Sequence, residues 1–285
     1  MSHAPARSIW RKGAPLLAAA AIAVAALVPF QAATGESHTA ARAVDEAKPT
    51  IVLVHGSYAD SGSWAGVTAV LQNQGYQVLI PAIPLRGVDF DTAYLEAFLA
   101  QKTTGPLVLA GHSYGGMLIT NAGLSDPDVK ALVFVDGFAP VEGETANDLI
   151  GSSASVLNVP DPNSILDFVV FPGAPEGDAD AYLKEDFFNK YFAFDVNPTI
   201  RAVLAAGQRP AASATGYEPS GAPAWETVPS WFAVAALDRV IPSELQRAMA
   251  ERAGSTVVEI QGSHLMMVSH PVSVAKVIRQ AAQSE

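Results

Sequence analysis

Leu107-Val108-Leu109-Ala110-Gly111-His112-Ser113-Tyr114-Gly115-Gly116-Met117-Leu118-Ile119-Thr120-Asn121-Ala122 is the stretch on which the fold turns. Its first four residues are apolar and suit a short buried strand; from Met117 to Ala122 it can run as a helix. Between them a serine stands with glycine two places before it and two places after. A serine so placed between strand and helix is a nucleophile elbow. The backbone at Ser113 must turn sharply, and a Cβ on Gly111 or Gly115 would meet the adjoining strand or helix. The hydroxyl then stands clear of the main chain, at the positive end of the helix dipole. The G-x-S-x-G pattern by itself turns up in Gly- and Ser-rich loops, so the flanking elements give it its force.

Working outward, similar strands recur. Residues 51–54, 77–80, 107–110 and 131–135 are short apolar runs. Helical spacing lies between them at 64–74 and 91–101, the second with Asp91 or Thr92 as its cap. Apolar strands alternating with helices predict an α/β fold, a doubly wound and mostly parallel sheet covered on both faces. The alternation stops over residues 137–228, where 178–192 and 197–206 have helical character among Pro-, Gly- and Ser-rich loops. An insertion of this length is expected to form a helical cap over the active face. Strands resume at 230–235 and 256–260, and a helix from Pro271 to about Gln283 closes the chain.

The 285 residues, 49% hydrophobic and 16% charged, suit one large globular domain, here placed at 49–285. A net charge of −11 argues against nucleic acid and anionic membrane surfaces as partners. The absence of cysteine removes thiol nucleophiles, disulfides and thiolate metal sites. Arg7, Arg11 and Lys12 precede an uncharged apolar run from Ala14 to Phe30, and small residues follow at Ala32-Ala33-Thr34-Gly35. Residues 1–35 are expected to be a secretory signal, with no stable membrane insertion once it is removed, and 36–48 a flexible leader. The expected location is outside the cytoplasm, secreted or periplasmic.

A serine hydroxyl needs a base, and the base needs an acid to orient it. In this architecture they follow in the order Ser, acid, His. Asp238 comes just after the strand 230–235 and His264 just after 256–260, so both leave the sheet at the edge where Ser113 does. Asp136, after 131–135, is the rival acid. His270 is the rival base, and capping a helix near Pro242 is the competing role for Asp238. His55 and His112 flank motif glycines and are expected to pack or hydrogen-bond away from the substrate. The oxyanion donors are expected to be the amides of Tyr114 and of Ser57, with Gly56 permitting close approach.

Four segments carry a family resemblance: Val54-His55-Gly56-Ser57, Gly111 to Gly116, Leu237-Asp238-Arg239-Val240-Ile241-Pro242, and Gly262 to Pro271. On these the chain resembles the α/β-hydrolases over nearly all of 49–285. It is similar to the branch holding plant methylesterases, hydroxynitrile lyases and related small bacterial esterases. The resemblance implies a Ser113–His264–Asp238 triad with Ser57 and Tyr114 amides, and neither cofactor nor metal. Lyases of that branch carry threonine and lysine where this chain has Gly56 and Leu265, which favours the esterase members.

The expected function is therefore a serine esterase for uncharged, fairly apolar carboxylic esters, a small-molecule substrate, through an acyl-enzyme. The rivals are a cyanohydrin-type carbon–carbon lyase and a non-catalytic ligand-binding hydrolase fold. The cap aromatics Phe168, Phe171, Phe187, Phe188, Tyr191, Phe192, Phe194, Trp225 and Trp231, with Met266 and Met267, are expected to be mostly core, a subset lining an apolar pocket.

Overall fold

The computed structural model describes residues 48–284. The expected export signal and all of the leader except Lys48 lie outside the described residues. The strands of the main sheet are β1 (Thr50–Val54), β2 (Val78–Leu79), β3 (Leu107–His112), β4 (Val129–Val135), β8 (Ser230–Ala235) and β9 (Thr256–Ile260). They form a six-stranded sheet in the order β2-β1-β3-β4-β8-β9, with every pairing parallel.

The apolar runs are explained by the two faces of this sheet. On β1, Ile51 and Leu53 face a core shared with Trp64, Leu71, Val274 and Ile278, from helices Ala65–Asn73 and Pro271–Ala282 and the turn before the first. Val52 and Val54 face the other core, with Leu95, Met117 and Met249 from helices Val88–Lys102, Tyr114–Ala122 and Ser243–Arg252. A strand buried on both faces gains nothing from alternation, so it reads as continuous apolar sequence. β2 and β9 are the edge strands, and the first four residues of β9 are at least partly exposed.

Between β4 and β8 the chain makes helices Ala146–Gly151 and Pro198–Ala206 and a small antiparallel sheet. That sheet has the order β5-β6-β7: Leu166–Val169, Asp180–Leu183 and Ala211–Ala212. The helix expected over 197–206 is present. The one expected over 178–192 is not: the stretch divides into β6, a single turn Glu185–Phe187 and a π-helical turn Phe188–Phe192. Pairing with β5 and β7 outweighs helical spacing over 180–183, where local preference is weak. The insertion therefore carries sheet as well as helix. It is tied to the loops after β1 and β2 by Tyr58 N to Arg209 O (3.0 Å), Ala212 N to Leu85 O (2.9 Å) and the Arg86–Asp180 ion pair (2.7 Å).

The second helix begins at Val88 rather than at Asp91. Asp91 sits in its first turn, fully buried, accepting from Arg86 N at 3.1 Å and from the Tyr114 hydroxyl at 2.9 Å. It ties that helix to the elbow instead of capping it. Among the described residues no helix is long and apolar enough to cross a membrane.

Candidate active site

Ser113 joins β3 to helix Tyr114–Ala122 with φ 52° and ψ −122°, a left-handed conformation that is costly for a residue with a side chain. The turn is held from both sides. The Ser113 carbonyl accepts from Gly116 N (2.9 Å) and Phe138 N (3.0 Å). The close approaches foreseen from the sequence are present, and a Cβ on Gly111 would meet the Gly115 carbonyl. A Cβ on Gly115 would strike the Val54 carbonyl, and one on Gly56 would lie 2.6 Å from Ser113 Cβ. These glycines let β1 and its following loop press against the elbow.

The parallel registers bring the ends of four strands to one edge: His112 pairs with Val135, Val135 with Ala233, and Ala235 with Ile260. Ser113, Asp136, Asp238 and His264 all leave the sheet there. His264 Nε2 lies 3.0 Å from Ser113 Oγ, and His264 Nδ1 lies 2.8 Å from Asp238 Oδ2. With Nδ1–H donating to the carboxylate, Nε2 is free to accept the Ser113 hydroxyl proton. Ser113 is 7% exposed and His264 fully buried.

Asp238 is fixed through both oxygens. Oδ1 accepts from Val240 N (2.7 Å) and Ile241 N (3.3 Å), and Oδ2 also accepts from Gln246 Nε2 at 3.0 Å. It thus orders the turn toward the next helix while meeting His264. The rival base His270 is instead hydrogen-bonded to Ser269 Oγ at 2.9 Å. The rival acid Asp136 is fully buried, 3.8 Å from both His264 Nδ1 and His112 Nε2, with no partner for either oxygen among the described residues.

His55 and His112 serve the backbone. His55 accepts from Ile83 N and donates to Gly56 O, both at 3.0 Å, and burial pulls its pKa down to about 4. His112 Nε2 donates to the His264 carbonyl at 2.8 Å; burial first, then the neighbouring His264, hold it well below its ordinary range.

Two supports, Gln246 and Asp195, escaped the sequence reading, and Phe192 was expected only as core or pocket lining. Gln246 is an ordinary helix residue in sequence yet is fully buried against Asp238. Asp195, from the insertion, accepts from Ser263 N (2.9 Å) and Ser269 Oγ (2.9 Å) and so holds the loop carrying His264. Phe192, in the π turn, packs its ring 4.8 Å from that of His264. No spacing pattern marks any of them, because each acts across a long sequence separation.

A cavity of about 440 Å³ opens over Ser113. Ser57, Tyr114 and His264 reach it, as do Phe138, Ile150, Ile165 and Phe192, and among the described residues no Asp, Glu, Lys or Arg is in its wall. Of the side chains expected to divide between core and pocket, Phe168 and Phe192 reach the cavity, whereas Met266 and Met267 are fully buried and do not line it. The Tyr114 amide is the first of its helix and has no intrahelical acceptor. His112, Asp136 and His264 bring ligand-type atoms within 4.8 Å of one another. His264 spends both ring nitrogens on Ser113 and Asp238, and His112 Nε2 is committed to a carbonyl. These imidazole nitrogens are therefore committed to hydrogen bonds, and of the ligand-type atoms facing one another only the Asp136 oxygens are without a partner among the described residues, which is not the arrangement of a cation cage.

A buried Ser–His–Asp relay at the carboxyl edge of a parallel sheet is the arrangement of acyl-transfer hydrolases. The model of the α/β hydrolase family matches residues 51–277, and the chain belongs to that family. A carbendazim-hydrolysing esterase of Nocardioides is 29% identical over 113 residues, 35% of this chain and 46% of that protein. The chain thus spans less than half the length of that relative. Methylesterase 8 of Arabidopsis thaliana is 25% identical over 249 residues, 79% of this chain and 86% of that one. Among solved structures, polyneuridine aldehyde esterase superposes with a TM-score of 0.70 at 19% identity, covering 83% of this chain and all of the other.

Proposed function

We propose that this protein is a serine esterase that hydrolyses uncharged, fairly apolar carboxylic esters through an acyl-enzyme. The observation that carries the reading is the unbroken contact from Asp238 through His264 to Ser113, at 2.8 and 3.0 Å, beneath a cavity without charged walls. His264 takes the proton as Ser113 Oγ attacks the ester carbonyl. Asp238 orients the ring and faces the imidazolium that forms. The Tyr114 and Ser57 amides receive the oxyanion. The alcohol leaves with the proton from His264, and water repeats the cycle to free the acid.

The volume lies in the range of pockets that enclose small organic ligands. A wall of apolar and uncharged polar side chains favours an uncharged acyl or alcohol group, since an ion left unpaired there loses its hydration without return. The ester-cleaving names of the Nocardioides and Arabidopsis relatives support the same chemistry. The cavity wall holds no lysine, which argues for ester cleavage over cyanohydrin cleavage. Purified protein is expected to release p-nitrophenol from short-chain p-nitrophenyl esters. Ser113→Ala is expected to fold normally and lose that turnover by several orders of magnitude. Equal turnover by the two proteins would refute the proposal.

We also propose that residues 1–35 act as a cleaved export signal. Expression in a bacterial host followed by mass measurement of exported protein tests this: the signal should be missing. Intact protein confined to the cytoplasm would contradict it.

A further inference from the structure

One buried carboxyl has no part in the scheme above. Asp136 follows β4 directly, with φ 36°, a left-handed conformation uncommon for a residue with a Cβ. It is wholly shielded from solvent, and neither oxygen has a hydrogen-bond partner among the described residues. A buried polar group without a partner destabilises the fold, and a charged one does so more. Such a cost placed beside a reacting centre calls for a role.

Its surroundings narrow that role. Oδ2 lies 3.8 Å from His264 Nδ1, the atom that already meets Asp238 Oδ2 at 2.8 Å. Oδ1 lies 3.8 Å from His112 Nε2, which holds the His264 backbone carbonyl. The titratable groups that face Asp136 are Asp238 after β8, Asp195 from the insertion, His112 at the end of β3 and His264 after β9. His112 is kept neutral by burial, so it supplies no charge. Two carboxyls therefore face one side of one imidazole, and only one of them is in hydrogen-bond contact.

We propose that Asp136 is a second acid partner of His264, a positioning carboxyl that takes over the Nδ1 contact when Asp238 cannot make it. The inference rests on the triad reading given above. Burial, and then the charges of Asp238 and Asp195, hold the Asp136 carboxyl well above the usual carboxylate range. In the resting protein it is a neutral acid, and Asp238 alone carries the charge opposite His264. Removing the Asp238 charge removes one of the two repulsions. Asp136 then gives its proton to solvent, and the resulting carboxylate accepts the Nδ1–H of His264. A ring displacement of about 1 Å converts the present gap into a normal hydrogen bond. The tautomer with Nε2 open toward Ser113 is thereby kept.

The test is a double-mutant cycle on ester hydrolysis with Asp136→Asn, Asp238→Asn and the pair. A triad that loses its acid outright falls by roughly 10⁴-fold in kcat. Here Asp238→Asn is expected to fall by only about 10²-fold. Its kcat/KM should rise along a limb at higher pH than in the parent, because Asp136 must ionise first. Adding Asp136→Asn to Asp238→Asn should remove at least a further tenfold and abolish that limb. In the parent background the same substitution should cost clearly less. Equal losses in the two backgrounds, with an unmoved pH limb, would overturn the inference, since a purely structural aspartate acts alike in both. Should Asp238→Asn prove too unstable for kinetics, infrared spectra decide. A protonated-carboxyl band that Asp136→Asn removes is expected, and its absence from the parent contradicts the proposal. Ser113→Ala in the same series separates the two levels: parental turnover there sinks the triad itself, while an inactive Ser113→Ala with an uncoupled Asp136 sinks only this inference.

Discussion

Replacing Gln246 with leucine removes the most connected support of Asp238 without changing much volume. Gln246 is fully buried, and its amide is used at each position. Oε1 accepts from Ala235 N (2.9 Å), while Nε2 donates to Asp238 Oδ2 (3.0 Å) and to the Ile241 carbonyl (2.7 Å). Leucine strands the Ala235 amide and the Ile241 carbonyl, each at a cost of about 1–3 kcal/mol, and deletes a bond to a charged acceptor worth about 1.5–3 kcal/mol. These terms overlap, so the expected loss is about 3–6 kcal/mol, a large share of the 5–15 kcal/mol typical of a folded domain. In a domain of this size that lowers Tm by roughly 10 °C or more. Asp238 keeps its two backbone donors, so catalysis should fall by about tenfold rather than vanish. Gln246→Glu preserves the acceptor for Ala235 but sets a second carboxyl against Asp238, so its defect should deepen as pH rises. Urea unfolding followed by tryptophan fluorescence, with p-nitrophenyl ester turnover, reads both effects. A Gln246→Leu protein within about 1 kcal/mol of the parent and with full kcat would refute the account of how Asp238 is held.

Two further outcomes follow from buried groups. His55 has a folded pKa of about 4 against an ordinary 6.5. The unfolded chain therefore gains a proton as pH falls through 6.5, and the folded chain does not until about 4. Stability is lost across that window by about 3 kcal/mol, and His55→Gln should flatten this part of the profile; equal acid slopes in urea unfolding would contradict it. Gly115→Ala forces a methyl against the Val54 carbonyl, with the His55 carbonyl 2.9 Å away. It should lower Tm and cut kcat/KM at least tenfold by moving Ser113, whereas Gly151→Ala, with open space at its Cβ, should stay within about 1 kcal/mol of the parent.

The main sheet was legible because strands buried on both faces write themselves as apolar runs: 230–235 matches the observed strand to the residue. The candidate site was legible because β3, β8 and β9 end at one edge, so residues just past their ends must meet there. Nothing comparable marks the insertion. β5 is mostly exposed, and β6 alternates over only four residues, too few to mark a strand, so an aromatic-rich stretch reads as helix until its antiparallel partners are known. Gln246 and Asp195 were invisible for a different reason. Their chemistry is common on any surface, and only burial against Asp238 or the His264 loop gives it meaning.

The central claim is that one hydroxyl, activated by His264, forms a covalent intermediate. A fluorophosphonate probe tests it most directly, with the adduct located by peptide mass spectrometry. The account predicts a single adduct on Ser113, formed rapidly in the parent and at least a hundredfold more slowly in His264→Ala. Labelling elsewhere, or labelling of Ser113 at the same rate without the imidazole, would contradict it.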